Sequence, residues 1–385
     1  MTTHADLPDL ARNAVHLLPE NGLAEKLKLG RPLRVKLGID VTAPHVTIGN
    51  GVPLSRMRAF QDAGHVGVLI VGDYTTRIGD PSGRSAERPI IEPDEIDRMA
   101  KTFFEAASRV IDPERTEIRF NSEWLGELDF AELLRLTRTT TVAQLLERDD
   151  FSKRFAAHEP ISVSELLYPL MQAYDSVAIE ADVELGGTDQ LYNLLTGREV
   201  MSAYGLEPQV VLTVPLLLSW DGTKMSGSKG NYIGLTEAPE EQFGKTMRIP
   251  DELLADWWAL VADRPVPDGE PMDAKLELAR FVVRRSHGEE AAREAEAHFT
   301  RVVREGAAPE EIPQHVLPDG ASIHLPAVLA AAFGVSTSDA RRMIAQRGVR
   351  LDGEPVDELD LPRDRLEGTV LQVGKRRFAR LVSSA

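Results

Sequence analysis

A strand, a helix and a second strand follow one another within about 40 residues near the start of this chain, and that unit leaves few folds open. Leu33–Ile39 is a short apolar-rich strand, Ile48–Asp62 reads as a helix, and His65–Val71 is a continuous apolar run typical of a strand buried on both faces. The fold class is therefore α/β, with a parallel, doubly wound sheet. In such sheets the loops at the carboxyl ends of the strands form the binding crevice. The polar, glycine-rich stretch Gly72–Arg88 directly follows the buried strand, so chemistry is expected there.

Further along, helices are expected at Glu92–Ile111, Phe130–Arg148, Glu165–Ala178 and Leu191–Tyr204, and strands at Glu117–Phe120 and within Gln209–Leu218. Residues 1–30 read as one or two amphipathic helices, and Glu237 to about Arg304 as helix throughout. A hinge is expected from Gly306 to Gly320, where Pro309, Pro313 and Pro318 interrupt the chain. Beyond it, Ser338 is the expected cap of a helix starting at Asp339, Gly348 its stop, and Val349–Leu351 with the Asp352-Gly353 turn a hairpin-like element. The 385 residues, 42% of them hydrophobic, suffice for two or three domains.

Charge sets the tail apart. The chain holds 61 acidic and 44 basic side chains, a net of −17. From Ser322 to Ala385 there are ten Lys/Arg and eight Asp/Glu, 10 − 8 = +2, so the first 321 residues carry −17 − 2 = −19. An acidic chain repels nucleic acid at long range, and the basic tail is the part suited to a polyanion. Zero cysteines exclude disulfides, thiolate metal sites and cysteine nucleophiles. No apolar run approaches the roughly 20 residues of a membrane span, and no basic segment followed by an apolar one begins the chain. A soluble, cytoplasmic protein is expected.

Four segments distant in sequence belong at one sheet edge. In Gly38–Asn50 a strand ends and Thr47-Ile48-Gly49-Asn50 opens a helix, whose N-terminus offers N–H groups to phosphate; Gly49 lets a flat ligand approach the backbone. A capped helix start with nothing bound would read the same way. In Gly72–Ser85, Asp80 can hold an ammonium and Arg84 an anion. Tyr168, Gln172 and Asp175 share one helix face, with Gly186-Gly187-Thr188-Asp189-Gln190 downstream. Asp221–Asn231 carries two lysines and three glycines and suits a loop that closes over pyrophosphate, or else a plain surface loop.

Together these segments resemble the tyrosyl-tRNA synthetases, class I enzymes with signatures called HIGH and KMSKS. The resemblance is most specific in IGDPSGRS (78–85), YPLMQAYDS (168–176), ELGGTDQ (184–190) and GNYIGLTE (230–237), and it covers essentially the whole chain. It implies a Rossmann-type catalytic domain at 1–236 with an inserted dimerisation region at about 110–175, a helical domain at 237–305, a linker at 306–321 and a small α+β RNA-binding domain at 322–385. It implies a homodimer that activates L-tyrosine with ATP and Mg²⁺ and passes the tyrosyl group to the 3′ end of tRNA(Tyr). Asp80, Tyr168 and Gln172 would hold the amino group of tyrosine, Asp175 the phenol, and Gln190 would lie by the carboxylate. Gly38, Asp40, Thr42, Thr47, Gly49, Asn50, Gly187, Asp189, Lys224, Met225 and Ser226 would serve ATP. Thr47, Asn50, Arg84 and Lys224 would carry catalysis, while Arg341, Arg342, Lys375, Arg376 and Arg377 would meet RNA.

The chain departs from the family pattern at three places. Thr47-Ile48-Gly49-Asn50 replaces His-x-Gly-His, a form familiar in the related bacterial tryptophanyl enzymes; Thr and Asn donate hydrogen bonds but carry no charge. The second signature reads Lys224-Met225-Ser226-Gly227-Ser228, with Lys229 two positions past the missing lysine. Lys36 stands where many relatives have a tyrosine that reaches the phenol, although another bacterial branch carries lysine there. These changes motivate an alternative, a paralogue that forms the adenylate without charging tRNA. A non-enzymatic RNA-binding regulator is a third reading, which the intact pocket residues disfavour.

Overall fold

The structure, a computed structural model, describes residues 7–41, 45–80, 92–304, 312–374 and 377–383. It divides into two compact units, Met1–Ser286 and His287–Ala385. In the first, β1 (His16–Leu18), β2 (Arg34–Ile39), β3 (Val66–Val71), β4 (Thr116–Phe120), β5 (Val183–Gly187) and β6 (Val210–Val214) form one sheet in the order β1-β6-β5-β2-β3-β4. All neighbours are parallel except β1, which pairs antiparallel with β6. The chain runs outward from β2 through β3 to β4, then returns to place β5 on the other side of β2. The β2–β5 boundary is thus the topological switch point, where a doubly wound sheet opens a crevice.

The central strands carry few polar side chains because both faces are covered: Leu69, Ile70 and Val71 are buried, as are Val183, Leu185, Val210 and Leu212. Helix Ile48–Asp62 presents Val52, Met57 and Phe60 to that core. Trp257, Trp258, Leu278 and Val282, from the region expected to be helix throughout, lie in the same core cluster. That region is broken into Pro239–Thr246, Leu254–Val261, Pro271–His287 and Glu289–Phe299. The helix expected at Phe130–Arg148 is two pieces, Phe130–Thr137 and Val142–Leu146, because Thr141 starts a new helix with a capping box. The first 30 residues hold helices at Leu7–Leu10 and Gly22–Leu27, with strand β1 between them.

The second unit has a five-stranded sheet and a two-stranded one, with helices Leu325–Phe333 and Thr337–Ala345. Its core is separate, built on Leu325, Leu329, Ile344, Val349, Leu371 and Leu381. Ser336, rather than Ser338, caps the second helix, since its hydroxyl accepts from the Asp339 N–H at 3.0 Å. Gln314–Val316, inside the expected hinge, is a strand pairing with Arg377–Val382. Among the described residues no helix is long and apolar enough to cross a membrane.

Candidate active site

A cavity of about 560 Å³ opens at the switch point in the first unit. Its floor and walls come from elements the sheet forces together: the end of β2 (Gly38, Asp40), the start of helix Ile48–Asp62 (Thr47, Gly49, Asn50), Asp80, the helix Val163–Ala178 (Tyr168, Gln172, Asp175), the end of β5 (Gly187, Asp189, Gln190) and the Lys224–Gly227 loop. Every expected ATP or tyrosine residue that the structure describes lines this one cavity. Thr42 and Arg84 lie outside the described residues, as do Lys375 and Arg376.

One end of the cavity is closed and polar. Asp175 is buried, and its carboxylate accepts from Trp124 Nε1 at 2.8 Å and Asn121 Nδ2 at 3.5 Å. Burial pushes its pKa from 3.8 to about 7, against the pull of Lys36, Trp124 and Asn121. Tyr168 donates its hydroxyl to Asp40 Oδ2 at 2.9 Å, and burial together with the nearby carboxylates of Asp40, Asp80 and Asp175 holds its own pKa well above the ordinary phenol value. Thr75 Oγ1 donates to Asp40 Oδ1 at 2.8 Å and accepts from Asn121 Nδ2 at 3.1 Å. A hydrogen-bonded chain therefore runs from Asp40 through Thr75 and Asn121 to Asp175. Gly72 makes room for it, because a Cβ there would sit 2.3 Å from Asp40 Oδ1 and 2.4 Å from Thr75 Oγ1. Asn121 and Trp124 were not among the sequence expectations; the available signal was that Asn121 directly follows β4, at the carboxyl edge of the sheet.

The middle of the cavity is set by amides. Gln190 Nε2 donates to Asp80 Oδ2 at 2.7 Å, and Asn193 Nδ2 donates to Gln190 Oε1 at 3.0 Å. Arg148, buried against Asp150, comes within 3.9 Å of Asp80. Asp80 and Gln190 thus hold fixed positions before any ligand arrives, which lowers the ordering cost of binding.

The open end presents a helix N-terminus and a lysine-bearing loop. Thr47 and Asn50 form a reciprocal cap: the Thr47 N–H and hydroxyl both donate to Asn50 Oδ1 at 2.9 Å, and the Asn50 N–H donates to Thr47 Oγ1 at 3.2 Å. Opposite them, Lys224 Nζ is paired with Asp189 Oδ2, so the loop lysine is drawn over the cavity. Met225 is buried and its N–H donates to Leu217 O at 3.0 Å. Asn231, buried behind the loop, donates to both oxygens of Asp221 and to Lys224 O, and accepts from the Ser226 N–H at 3.0 Å. Lys229 lies in the short turn Gly227–Lys229 and is exposed.

In the second unit Arg341 and Arg342 are exposed on helix Thr337–Ala345, Arg342 donating to Asp339 Oδ1 at 2.6 Å. Arg377 starts the strand Arg377–Val382, with its guanidinium 5.6 Å from the Phe333 ring centre.

Residues 28–304 match the family model described as tRNA synthetases class I (W and Y). The tyrosine–tRNA ligase of Moorella thermoacetica is 46% identical over 97% of this chain and 94% of its own length. That of Thermotoga maritima is 45% identical over 99% and 98%. Among solved structures, a tyrosyl-tRNA synthetase from Archaeoglobus fulgidus complexed with L-tyrosine shares the fold at a TM-score of 0.60 and 22% identity, covering 75% of this chain and 98% of that one. A match over residues 28–304, joined to near-full-length relatives at this identity, means that the chain belongs to the class I tRNA synthetases of the W and Y group, among the tyrosyl-tRNA synthetases.

Proposed function

We propose that the cavity activates L-tyrosine with ATP to tyrosyl-adenylate and that the enzyme then passes the tyrosyl group to the 3′ end of tRNA(Tyr). The observation that carries the reading is the single cavity with a buried carboxylate at its closed end and a lysine-bearing loop at its mouth. Asp175 receives the phenol; Asp80, Tyr168 and Gln172 receive the amino group; Gln190 lies by the carboxylate. The carboxylate attacks the α-phosphorus and pyrophosphate leaves, so no side chain serves as covalent nucleophile. Catalysis then comes from positioning and from charge stabilisation. Asp40, Asp189, the Gly49 backbone and the amide of Asn50 position the nucleotide, Arg84 and Lys224 supply positive charge, and Thr47 fixes Asn50.

Among the described residues no cluster of three or more His, Asp or Glu side chains suits a metal ion, so Mg²⁺ enters this reading on the ATP phosphates, as part of the substrate. Arg341, Arg342, Lys375, Arg376 and Arg377 are proposed to face tRNA. A homodimer joined through about 110–175 is supported by the exposure of Phe130 (74%), Val142 (62%), Phe155 (62%) and Val163 (74%), all within that stretch. A cytoplasmic location and the domain limits set out above belong to the same proposal, with the linker ending before the strand Gln314–Val316. No observation favours the alternative that does not charge tRNA. The test is ATP–pyrophosphate exchange with each amino acid, followed by charging of total tRNA. Exchange with tyrosine and charging of one tRNA are expected; exchange without charging would leave only the activation step, and no exchange with tyrosine overturns the reading.

A further inference from the structure

Lys36 is among the largest fully buried side chains of the chain, at 0% exposure, on the central strand beneath the cavity. An ammonium has three N–H donors, and here all three are spent: on Gln172 O at 2.8 Å, on Ser176 Oγ at 2.8 Å and on Glu184 Oε1 at 2.8 Å. None is left for a ligand. The residues it grips lie three before and one after Asp175 on the same helix.

Glu184, 1% exposed at the neighbouring position of β5, is likewise saturated. It accepts from Lys36, from Gln172 Nε2 at 3.3 Å, from Ser176 Oγ at 3.3 Å and from Gln209 Nε2. Gly197 leaves the space for this arrangement, since a Cβ would come 2.6 Å from Gln209 Nε2 and 3.2 Å from Glu184 Oε2. A buried, fully satisfied pair that a hydrophobic pair could replace is weak evidence of a stabilising role. Its place under the substrate-facing helix calls for another explanation.

We propose that Lys36, locked to Glu184, is a positioning residue for tyrosine: it fixes the turn that carries Gln172 and Asp175, and its positive field keeps Asp175 available as a carboxylate for the phenol. This rests on the reading of Asp175 given above. The groups that act on Asp175 come from several sides, Lys36 from β2, Glu184 from β5, and Asn121 and Trp124 from the turn after β4, while Asp175 in turn acts on Tyr168 of its own helix. Lys36 is the one cation among them, and its effect on Asp175 exceeds the opposing effect of Glu184. Removing both charges therefore leaves Asp175 harder to ionise.

The test compares the full-length wild type with Lys36→Met and with Lys36→Met/Glu184→Gln, the second variant avoiding an unpaired buried glutamate. Tyrosine- and ATP-dependent pyrophosphate exchange is followed from pH 6 to 9, with circular dichroism as the check on folding. In the folded double variant the KM for tyrosine is expected to rise about fivefold at pH 7, corresponding to a rise of about one unit in an Asp175 pKa that starts at about 7. The acid limb of kcat/KM should move up by about one pH unit, and the difference should shrink towards pH 9. The KM for ATP and the kcat at pH 9 should stay within about twofold. A double variant that fails to fold, or one that folds with the wild-type tyrosine KM and acid limb, overturns the proposal. Absence of tyrosine-dependent exchange in the wild type itself would instead overturn the functional reading beneath it.

Discussion

Replacing Asp175 with asparagine should make the protein more stable at alkaline pH while damaging its use of tyrosine. The carboxyl is raised from 3.8 to about 7 by burial. A group whose folded pKa lies above its unfolded one contributes stability that is present below pH 3.8 and lost as pH rises through about 7. Three units correspond to about 4 kcal/mol at pH 8, and at pH 5 less than half of that cost is felt. Asparagine escapes the cost. Its Oδ1 can still accept from Trp124 Nε1, but its NH₂ then faces the Asn121 NH₂ across the present 3.5 Å contact, a conflict worth about 1 kcal/mol. The net gain is about 2–3 kcal/mol at pH 8 and close to zero at pH 5, which is several degrees in Tm and then almost none. Losing a charged acceptor for the phenol costs about 1.5–3 kcal/mol, or about 10- to 200-fold in kcat/KM for tyrosine. Thermal unfolding of both proteins at pH 5 and pH 8, with exchange kinetics at pH 8, measures each part. An Asp175→Asn protein that melts at or below the wild type at pH 8, or whose advantage is equal at the two pH values, refutes the reasoning.

Other consequences follow from the loop, the tail and the exposed apolar side chains. Asn231→Ala releases the lysine loop from behind by removing its hydrogen bonds to the Asp221 carboxylate and to the Lys224 and Ser226 backbone, so kcat for exchange should fall about 10- to 100-fold; the KM for tyrosine, measured in the same assay, should not move. Deleting residues 312–385 removes the second unit's sheets, including the strand Gln314–Val316, yet leaves the first unit's core whole. Exchange should then survive within about twofold while tRNA charging falls at least tenfold, both read on one preparation. Phe130→Asp with Phe155→Asp places charge on two of the most exposed apolar side chains, and light scattering should show the proposed dimer dissociating to monomers.

Much of the fold could be read directly because its determining elements are strongly patterned. The uninterrupted apolar run ending at Val71 and the helix beginning at Ile48 each have one plausible partner, and the parallel β2–β3 pairing follows. Strand β1 escaped notice because three residues between two short helices carry no measurable period. Ser336 and Ser338 are both good caps, and only the hydrogen bond to the Asp339 N–H decides between them. In the site, side chains lying within glycine-rich or motif-bearing segments were legible, whereas Asn121 and Trp124 sit in an ordinary-looking turn. Their role arises only when the sheet brings β4 beside the helix Val163–Ala178. Lys36 stood out in the sequence as a departure, but its saturation by Gln172, Ser176 and Glu184 depends on the sheet placing β2 beside a helix and strand more than 120 residues further along the chain.

The altered first signature poses an electrostatic question that the geometry answers in part. A histidine pair can carry positive charge to a phosphate, whereas Thr47 and Asn50 spend the threonine hydroxyl, its N–H, the amide oxygen and the Asn50 N–H on each other. Gly49 and Asn50 line the cavity at the positive end of the helix Ile48–Asp62. These are rigid dipoles, suited to holding a nucleotide in place but weak against charge that develops as a phosphoryl bond breaks. On the proposed reading, net positive charge then comes from Arg84 and from Lys224, which lines the cavity and is paired with Asp189. A polyphosphate competes with a single exposed carboxylate for that lysine, and the several formal charges on its side favour the exchange. On the proposed reading, the Asp189–Lys224 pair thus keeps the cation beside the cavity without binding it so firmly that the nucleotide cannot take it over.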